Sequence, residues 1–561
     1  MDERVLDAQR WVNATYSGIA GYDRCPENGK TNWATMYSLT QGLQHELGIQ
    51  ELSHAFGPTT MSKVDARGGV GPGEQNKNIV NIIKCAFYCK GYPGGDLDGI
   101  WRSSPPFGPQ QDAVAGSLYA MTDNMGIGKQ DRLNAKLFKA LLTMDAYVLV
   151  AGGDPEVRKI QQWLNGCYWR RSFATLIPTE GHYSRDVQKL LMKVLQSEFG
   201  IADASVNGNF GPATQRQLAA HILKPGDSGV LVELLSAACV FNGAVPRGEG
   251  MVHTMFKSTF DDKLAKYIQA FQAFSLLPVT NRVDYATWCQ LLVSTGDPNR
   301  AAHACDTRFT ITESLAHSLV RSGYRVVGRY LDEPPGGKLD KKLKDGELHA
   351  IFAGNMRVFP IWQYNARDLI DFSFESGWEH GNKAHDRMVY YGFNPGAIVY
   401  FSVDYDATDP EIDSNIIPYF RGVQAALASR GHAYRAGVYG CRNVCSRVSE
   451  QTYTVSSFVS GMSWGFSGNL GFPLPYNWSF NQIQEVRYSA DSGKEIDLDR
   501  DVHRTKIDPG IGPDGVGGHT PSKLEDTLAK VDQVHDMAAK FGGGTCLLYT
   551  SPSPRDQRGS R

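Results

Sequence analysis

The rhythm of apolar positions changes once along the chain, near residue 300. Before it, apolar residues recur at i, i+3 and i+4, as in "QRWVNATY" (Gln9 to Tyr16) and "NIVNIIKCAFYC" (Asn78 to Cys89), which gathers them on one helical face. After "GDPNRAA" (Gly296 to Ala302) short β-branched runs alternate with helical stretches, the texture of βα units around a parallel sheet. Strands are predicted at Ala302–Asp306, Tyr324–Leu331, Met356–Gln363, Ala397–Asp404, Tyr434–Gly440, Ser457–Trp464, Phe480–Glu485 and Lys494–Asp499. Eight strands in this span predict a (β/α)8 TIM-type barrel over 303–503, at the short end of a range that starts near roughly 200 residues. The expected fold class is therefore multidomain, all-α followed by a barrel.

The helical half repeats itself. "QRWVNATY" returns as "QQWLNGCY" at Gln161, "LQHELGI" at Leu43 as "LQSEFGI" at Leu195, and "FGPTT" at Phe56 as "FGPAT" at Phe210. Matching order and spacing divide it into modules A1 (1–75), B1 (76–150), A2 (151–225) and B2 (226–298), each predicted to hold three helices. Pro58 and Pro212 fit the turn before the third helix of the A modules, and Thr60 and Thr214 its start. The pattern resembles the three-helix peptidoglycan-binding modules of bacterial wall hydrolases, whose usual signature is D-G-x-F-G-x-x-T. "VNGNFGPATQRQL" (Val206 to Leu218) carries that signature well, whereas "HAFGPTT" lacks its acid, Asn and Gly.

In the second half "AIVYFSVDYD" (Ala397 to Asp406) is a run built for burial that ends in two carboxylates. Period two puts Tyr400, Ser402, Asp404 and Asp406 on one face, and unpaired carboxylates there demand a wet or functional cavity. Asp306, Arg329, Gln363, Tyr439, Trp464, Gln484 and Asp497 fall at other strand ends, where a parallel barrel places its site.

The motifs "CDT", "VVGRYL", "IVYFSVDYD", "YRAGVYG" and "EIDLDRD" resemble the glycoside-hydrolase-like barrel family first described as a domain of unknown function in secreted actinobacterial proteins and related to the family-25 lysozymes. The resemblance implies catalytic carboxyls at Asp306, Asp404, Asp406 and Asp497, with Asp406 as proton donor and Asp404 as base or electrostatic partner. It implies sugar-positioning roles for Tyr400, Arg329, Gln363, Tyr439, Trp464 and Gln484. Two departures stand out: D-x-D replaces the family's D-x-E, and Ile483-Gln484 replaces its Trp-Gln.

Composition narrows the remainder. A net charge of -2 with 21% charged residues gives no case for nucleic acid, and no run of eighteen apolar residues predicts a membrane span. The ten cysteines form no paired CxxC pattern, and HExxH and GxxxxGK[ST] do not occur, so neither metal nor cofactor is expected. "GMSWG" (Gly461 to Gly465) is formally GxSxG, but turn-like sequence follows where a nucleophile elbow needs a helix. The N-terminus shows no signal peptide, so action outside the cell or at the wall implies export by another route. A Gly/Pro linker is expected at 506–521 and a truncated helical segment at 522–545, with the true C-terminus missing. From Cys546 "CLLYTSPSPRD" looks like a translated sequencing adaptor, so 546–561 are set aside as an artefact.

The expected function is a muramidase-like glycoside hydrolase whose partner is peptidoglycan or a related wall polysaccharide. Alternatives are a non-catalytic wall-binding protein on the same barrel, and a phage lysin.

Overall fold

The computed structural model describes residues 1–102, 113–334 and 336–517. Residues 518–521 of the expected linker, the segment 522–545 and the adaptor-like run 546–561 lie outside the described residues. The chain forms two compact units, Met1–Asp297 with Leu470–Pro473, and Pro298–Asn469 with the chain from Leu474.

Among its described residues the first unit holds twelve α-helices. They are α1 (Glu3–Tyr16), α2 (Trp33–Glu46), α3 (Pro58–Ala66), α4 (Lys77–Cys89), α5 (Ala113–Asn124) and α6 (Ala135–Leu141), followed by α7 (Pro155–Tyr168), α8 (Arg185–Glu198), α9 (Pro212–Ala220), α10 (Val230–Phe241), α11 (Asp262–Phe274) and α12 (Tyr285–Leu292). A small antiparallel hairpin, β1 (Val245–Arg247) with β2 (Gly250–Val252), separates α10 from α11.

What repeats between the halves is a buried polar frame as much as an apolar one. Gln9 accepts from the backbone N–H of Asn28 and Gly29 at 2.9 and 2.8 Å, and Gln161 accepts from Gly181 at 2.9 Å. Asn13 exchanges two hydrogen bonds with the backbone of Cys25, as Asn165 does with Ile177. Tyr16 donates to Glu46 at 2.9 Å, and Tyr168 to Glu198 at 2.8 Å. Each amide satisfies loop backbone groups whose burial unpaired would cost about 1–3 kcal/mol, which ties the sequence repeat to loop geometry. Pro58 and Pro212 take the first helical position, while Thr60 and Thr214 sit buried in the first turn and accept from Gln44 and Gln196.

The second unit is a closed eight-stranded barrel of β3 (Ala304–Asp306), β4 (Val326–Tyr330), β5 (Arg357–Trp362), β6 (Ile398–Ser402), β7 (Arg435–Gly440), β8 (Ser456–Val459), β9 (Trp478–Ser489) and β10 (Glu495–His503). Strands β3 to β9 run parallel, and β10 is antiparallel to both its neighbours. The expected (β/α)8 arrangement is thus corrected to a mixed barrel. Helices α13 (Glu313–Arg321), α14 (Glu347–Ala353), α15 (Phe374–Tyr390), α16 (Asp409–Glu411) leading through a π turn into α17 (Ile417–Ser429), and α18 (Arg442–Gln451) provide the crossovers up to β8. Only Ala490–Lys494 join β9 to β10. A parallel return needs a dozen or more residues, so the last strand can only fold back as a hairpin.

Inside the barrel Ala304, Phe359, Ile361, Ile398, Tyr400, Phe458 and Phe480 pack as one core. Gly328 and Gly437 make the room: a Cβ would stand 2.5 Å from the Phe359 ring at the first and 2.7 Å from the Tyr400 ring at the second. Tyr400 closes the lower end by donating to Asp508 at 2.7 Å. Outside the lumen, buried Arg329 donates to Glu347 at 2.6 Å and to the carbonyls of Thr307 and Lys341, fastening β4 to α14 and the loop before it.

Candidate functional site

Above the aromatic core the lumen turns polar. A cavity of about 270 Å³ opens at the C-terminal ends of the parallel strands, lined by Asp306, Gln363, Arg367, Asp404, Tyr439, Gln482, Glu485 and Asp499 among others. Alternation along β3, β5, β6 and β7 delivers Asp306, Gln363, Asp404 and Tyr439 to it, as period two predicts. The antiparallel β10 contributes from the other direction: Asp499 lies opposite Asp306 and Asp501 opposite Ala304, one step deeper.

One glutamine organises the acids. Tyr439 donates to Gln482 Oε1 at 2.9 Å, and Gln482 Nε2 donates to Asp306 at 2.9 Å and Asp499 at 3.1 Å. Across the mouth Gln363 donates to Asp404 at 3.1 Å, and Arg367 Nε stands 3.6 Å from the same carboxylate.

Burial is the main force on the titration of this group. It pushes Asp306 well above the ordinary carboxylate range, partly offset by the Gln482 hydrogen bond. Burial, then the neighbouring charge of Asp306, pushes Asp499 up as well. Asp404 is raised by burial and drawn back by Arg367 and Gln363. Lys341, which burial lowers to about 8, sits with its Nζ 4.5 Å over the Tyr330 ring. Asp501 is wholly buried, and no donor from the described residues reaches either of its oxygens. Burial, then the neighbouring charges of Asp306 and Asp499, pushes its carboxyl well above the ordinary range. Buried carboxyls set beside one another hold their protons to higher pH than exposed ones do.

A pH dependence follows. The unfolded chain releases these protons near the ordinary value of about 4, whereas the folded state keeps them. The folded state therefore binds more protons above that pH, and stability falls as pH rises. Asp501→Asn, which removes one of these raised carboxyls, is expected to flatten the fall of Tm with pH and to raise Tm at about pH 8. An unchanged slope in a thermal denaturation series would contradict a raised Asp501 carboxyl.

Six of the expected site residues lie elsewhere. Asp406 follows the end of β6, where alternation stops, and accepts from the backbone and hydroxyl of Ser467 at 2.6 and 2.7 Å, capping a turn. Asp497 is exposed, on the part of the β9–β10 hairpin that projects past the barrel rim. Gln484 faces outward and accepts from Arg500 at 2.9 Å, because a bulge at Ile483 reverses the alternation after Gln482 and turns Glu485 inward in its place. Arg329 and Tyr400 are buried in the structural contacts described above. Trp464 is 75% exposed, in the loop two residues beyond the cavity-lining Met462. The residues that sequence reasoning passed over are Asp499, Asp501, Gln482, Glu485 and Arg367. "EIDLDRD" did signal Asp499 and Asp501, and "NQIQE" Gln482, since acids or glutamines recur there at period two, but the choice among them needs the register, and nothing local marks Glu485 or Arg367.

Residues 317–503 match the family described as Rv2525c-like, glycoside hydrolase-like domain, ending on the last residue of β10. Residues 150–292 match the FadG/YbfG, PGDB-like domain, which here takes in α7 to α12. Uncharacterized protein FadG of Bacillus subtilis (strain 168) is 41% identical over 545 residues, covering 96% of this chain and 91% of that protein. The chain belongs to the FadG/YbfG family. Uncharacterized protein YbfG of the same organism is 38% identical, over 98% of this chain and 75% of its own length. Of solved structures, the Mycobacterium tuberculosis Tat-secreted protein Rv2525c in complex with L-tartrate aligns at 17% identity and TM-score 0.30, covering 37% of this chain and 98% of that one. In this FadG/YbfG-family chain the carboxyl-lined cavity falls wholly within the glycoside hydrolase-like match, except for Asp306 on the strand before it. No helix among the described residues is long and apolar enough to cross a membrane.

Proposed function

We propose that the barrel is a glycoside hydrolase acting on bacterial cell-wall glycan, and that the helical half holds it to the wall. The observation that carries this reading is the convergence of Asp306, Asp404 and Asp499 on one cavity of a glycoside hydrolase-like domain. Glycosidic cleavage needs one carboxylic acid to protonate the leaving oxygen and a second group, anionic, to act as base or nucleophile at the oxocarbenium-like centre. Asp499, raised by burial and by Asp306, suits the donor. Asp404, beside Arg367 and Gln363, suits the anion. Asp306, hydrogen-bonded through Gln482 and backed by Asp501, sets the charge that keeps the proton on Asp499. Gln363 and Tyr439 are placed to orient the sugar. Protonation of the leaving oxygen and delivery of water to the anomeric carbon then complete hydrolysis. The helical repeats would supply wall affinity, and the site of action would then be the wall.

Incubation of the purified chain with peptidoglycan, followed by assay of new reducing ends, tests the reading. Time-dependent release is expected. Pelleting with the wall without any release would leave a binding protein on a hydrolase-like barrel.

A further inference from the structure

Module A1 carries an exposed aromatic ladder that its own packing does not require. Trp33 and Tyr37 lie one turn apart on α2, with ring centroids 5.6 Å apart and planes at 25°. Tyr37 stacks in turn on His54 at 4.2 Å and 3°. His54 Nε2 is 2.8 Å from Asp23 Oδ2, which also accepts from Gln41 Nε2 at 3.0 Å. Gln41 is buried, so the ladder is anchored in the helix bundle at one end. At the other end Trp33 is 49% exposed.

The second copy of the module is an internal control. Helices α2 and α8 both have 14 residues, and the buried Leu39, Leu43 and Glu46-to-Tyr16 frame returns as Leu191, Leu195 and Glu198-to-Tyr168. The positions of Trp33 and Tyr37 are occupied there by exposed Arg185 and Lys189. The same frame therefore folds with charged groups on that face, and the aromatics of α2 answer to something other than folding.

We infer that Trp33, braced by Tyr37 and His54, is a stacking platform for a pyranose ring of the glycan on which the barrel acts, an assignment that rests on the glycan reading above. Both faces of Tyr37 are covered by its neighbours, so the free aromatic surface is the outer face of the Trp33 indole. A pyranose matches it: axial C–H groups give the ring an apolar face, and its hydroxyls surround that face as donors. Lys and Arg are absent from the ladder itself, which gives no purchase for a phosphate-bearing polymer. Because the stack is already ordered, little side-chain entropy is lost when the ring docks.

The test is a pelleting isotherm of the full chain on purified peptidoglycan, comparing the parent with Trp33→Ala, Tyr37→Ala and the matched pair Arg185→Ala with Lys189→Ala. Trp33→Ala is expected to weaken binding about tenfold, equivalent to about 1.4 kcal/mol. Tyr37→Ala, which removes the brace and keeps the indole, is expected to give a smaller loss, and the α8 pair a change within about twofold. Circular dichroism of each variant checks that the surface changes leave the helices intact. Soluble chitotetraose should shift the fluorescence that the parent shows and Trp33→Ala lacks. Equal pelleting of parent and Trp33→Ala overturns this inference and leaves the glycan reading standing. Failure of the parent to pellet at all removes both. A proline-rich peptide that shifts the Trp33 signal where the sugar does not, or a parent dimer that Trp33→Ala converts to monomer, reassigns the face and overturns the sugar assignment.

Discussion

Asp499→Asn is expected to reduce release of reducing ends from wall glycan by about 10²–10⁴-fold, the usual contribution of a positioned general acid. The amide oxygen can still accept from Gln482, so the network under the cavity survives while the transferable proton is lost. Asp406→Asn is the informative comparison. Its carboxylate is occupied with the Ser467 turn, and an amide oxygen can take the same bonds, so activity within a few-fold of the parent is expected. Asp404→Asn should lose activity as Asp499→Asn does, with a pH–rate profile that loses its acid-side limb where Asp499→Asn loses the alkaline one. If Asp406→Asn is inactive and Asp499→Asn is not, the donor is the residue that the family resemblance implies, and the turn around Ser467 must open during catalysis.

Glu347→Ala is expected to destabilise the barrel by about 3–5 kcal/mol, because it leaves the Arg329 guanidinium buried without its counter-ion. Both side chains are wholly shielded from solvent. The remaining partners of Arg329 are the carbonyls of Thr307, Lys341 and Lys342, which cannot neutralise a charge in a medium of low polarity. Urea unfolding followed by tryptophan fluorescence reads this loss directly. Adding Arg329→Met to Glu347→Ala should recover most of it, since two apolar groups need no pairing. The exposed pair Arg487–Glu495, with side chains 74% and 49% exposed, should change stability by at most about 1 kcal/mol when broken. A Glu347→Ala transition as small as that would show that water reaches Arg329.

Much of this architecture is legible in the sequence because it depends on local periodicity. All eight predicted strand segments overlap strands of the barrel, and the helix bounds of the two A modules follow the repeat from Glu3–Tyr16 to Pro155–Tyr168 and from Trp33–Glu46 to Arg185–Glu198. Asp306, Gln363, Asp404 and Tyr439 reach the cavity because each lies within two residues of the end of an unbroken strand and keeps its phase, where alternation alone sets the face. Arg329 shows the limit of that logic. It also lies at the end of a strand, next to the last residue Tyr330, but it is one residue out of phase with Gly328 and Tyr330 and so points away from the lumen, toward Glu347.

The sequence by itself determined where helices give way to strands, which residues repeat, and that carboxylates gather at strand ends. Each of these is a property of spacing within a short window. Only the tertiary structure decided which carboxylates meet. The turn between Ser489 and Glu495 is too short for a crossover, so β10 runs antiparallel and brings Asp499 level with Asp306 while Asp497 passes beyond the rim. The bulge at Ile483 then exchanges Gln484 for Glu485 at the cavity, since one inserted residue inverts every side chain that follows. Strand direction and register are set by pairing between segments far apart in the chain, and a period-two pattern is the same in either direction.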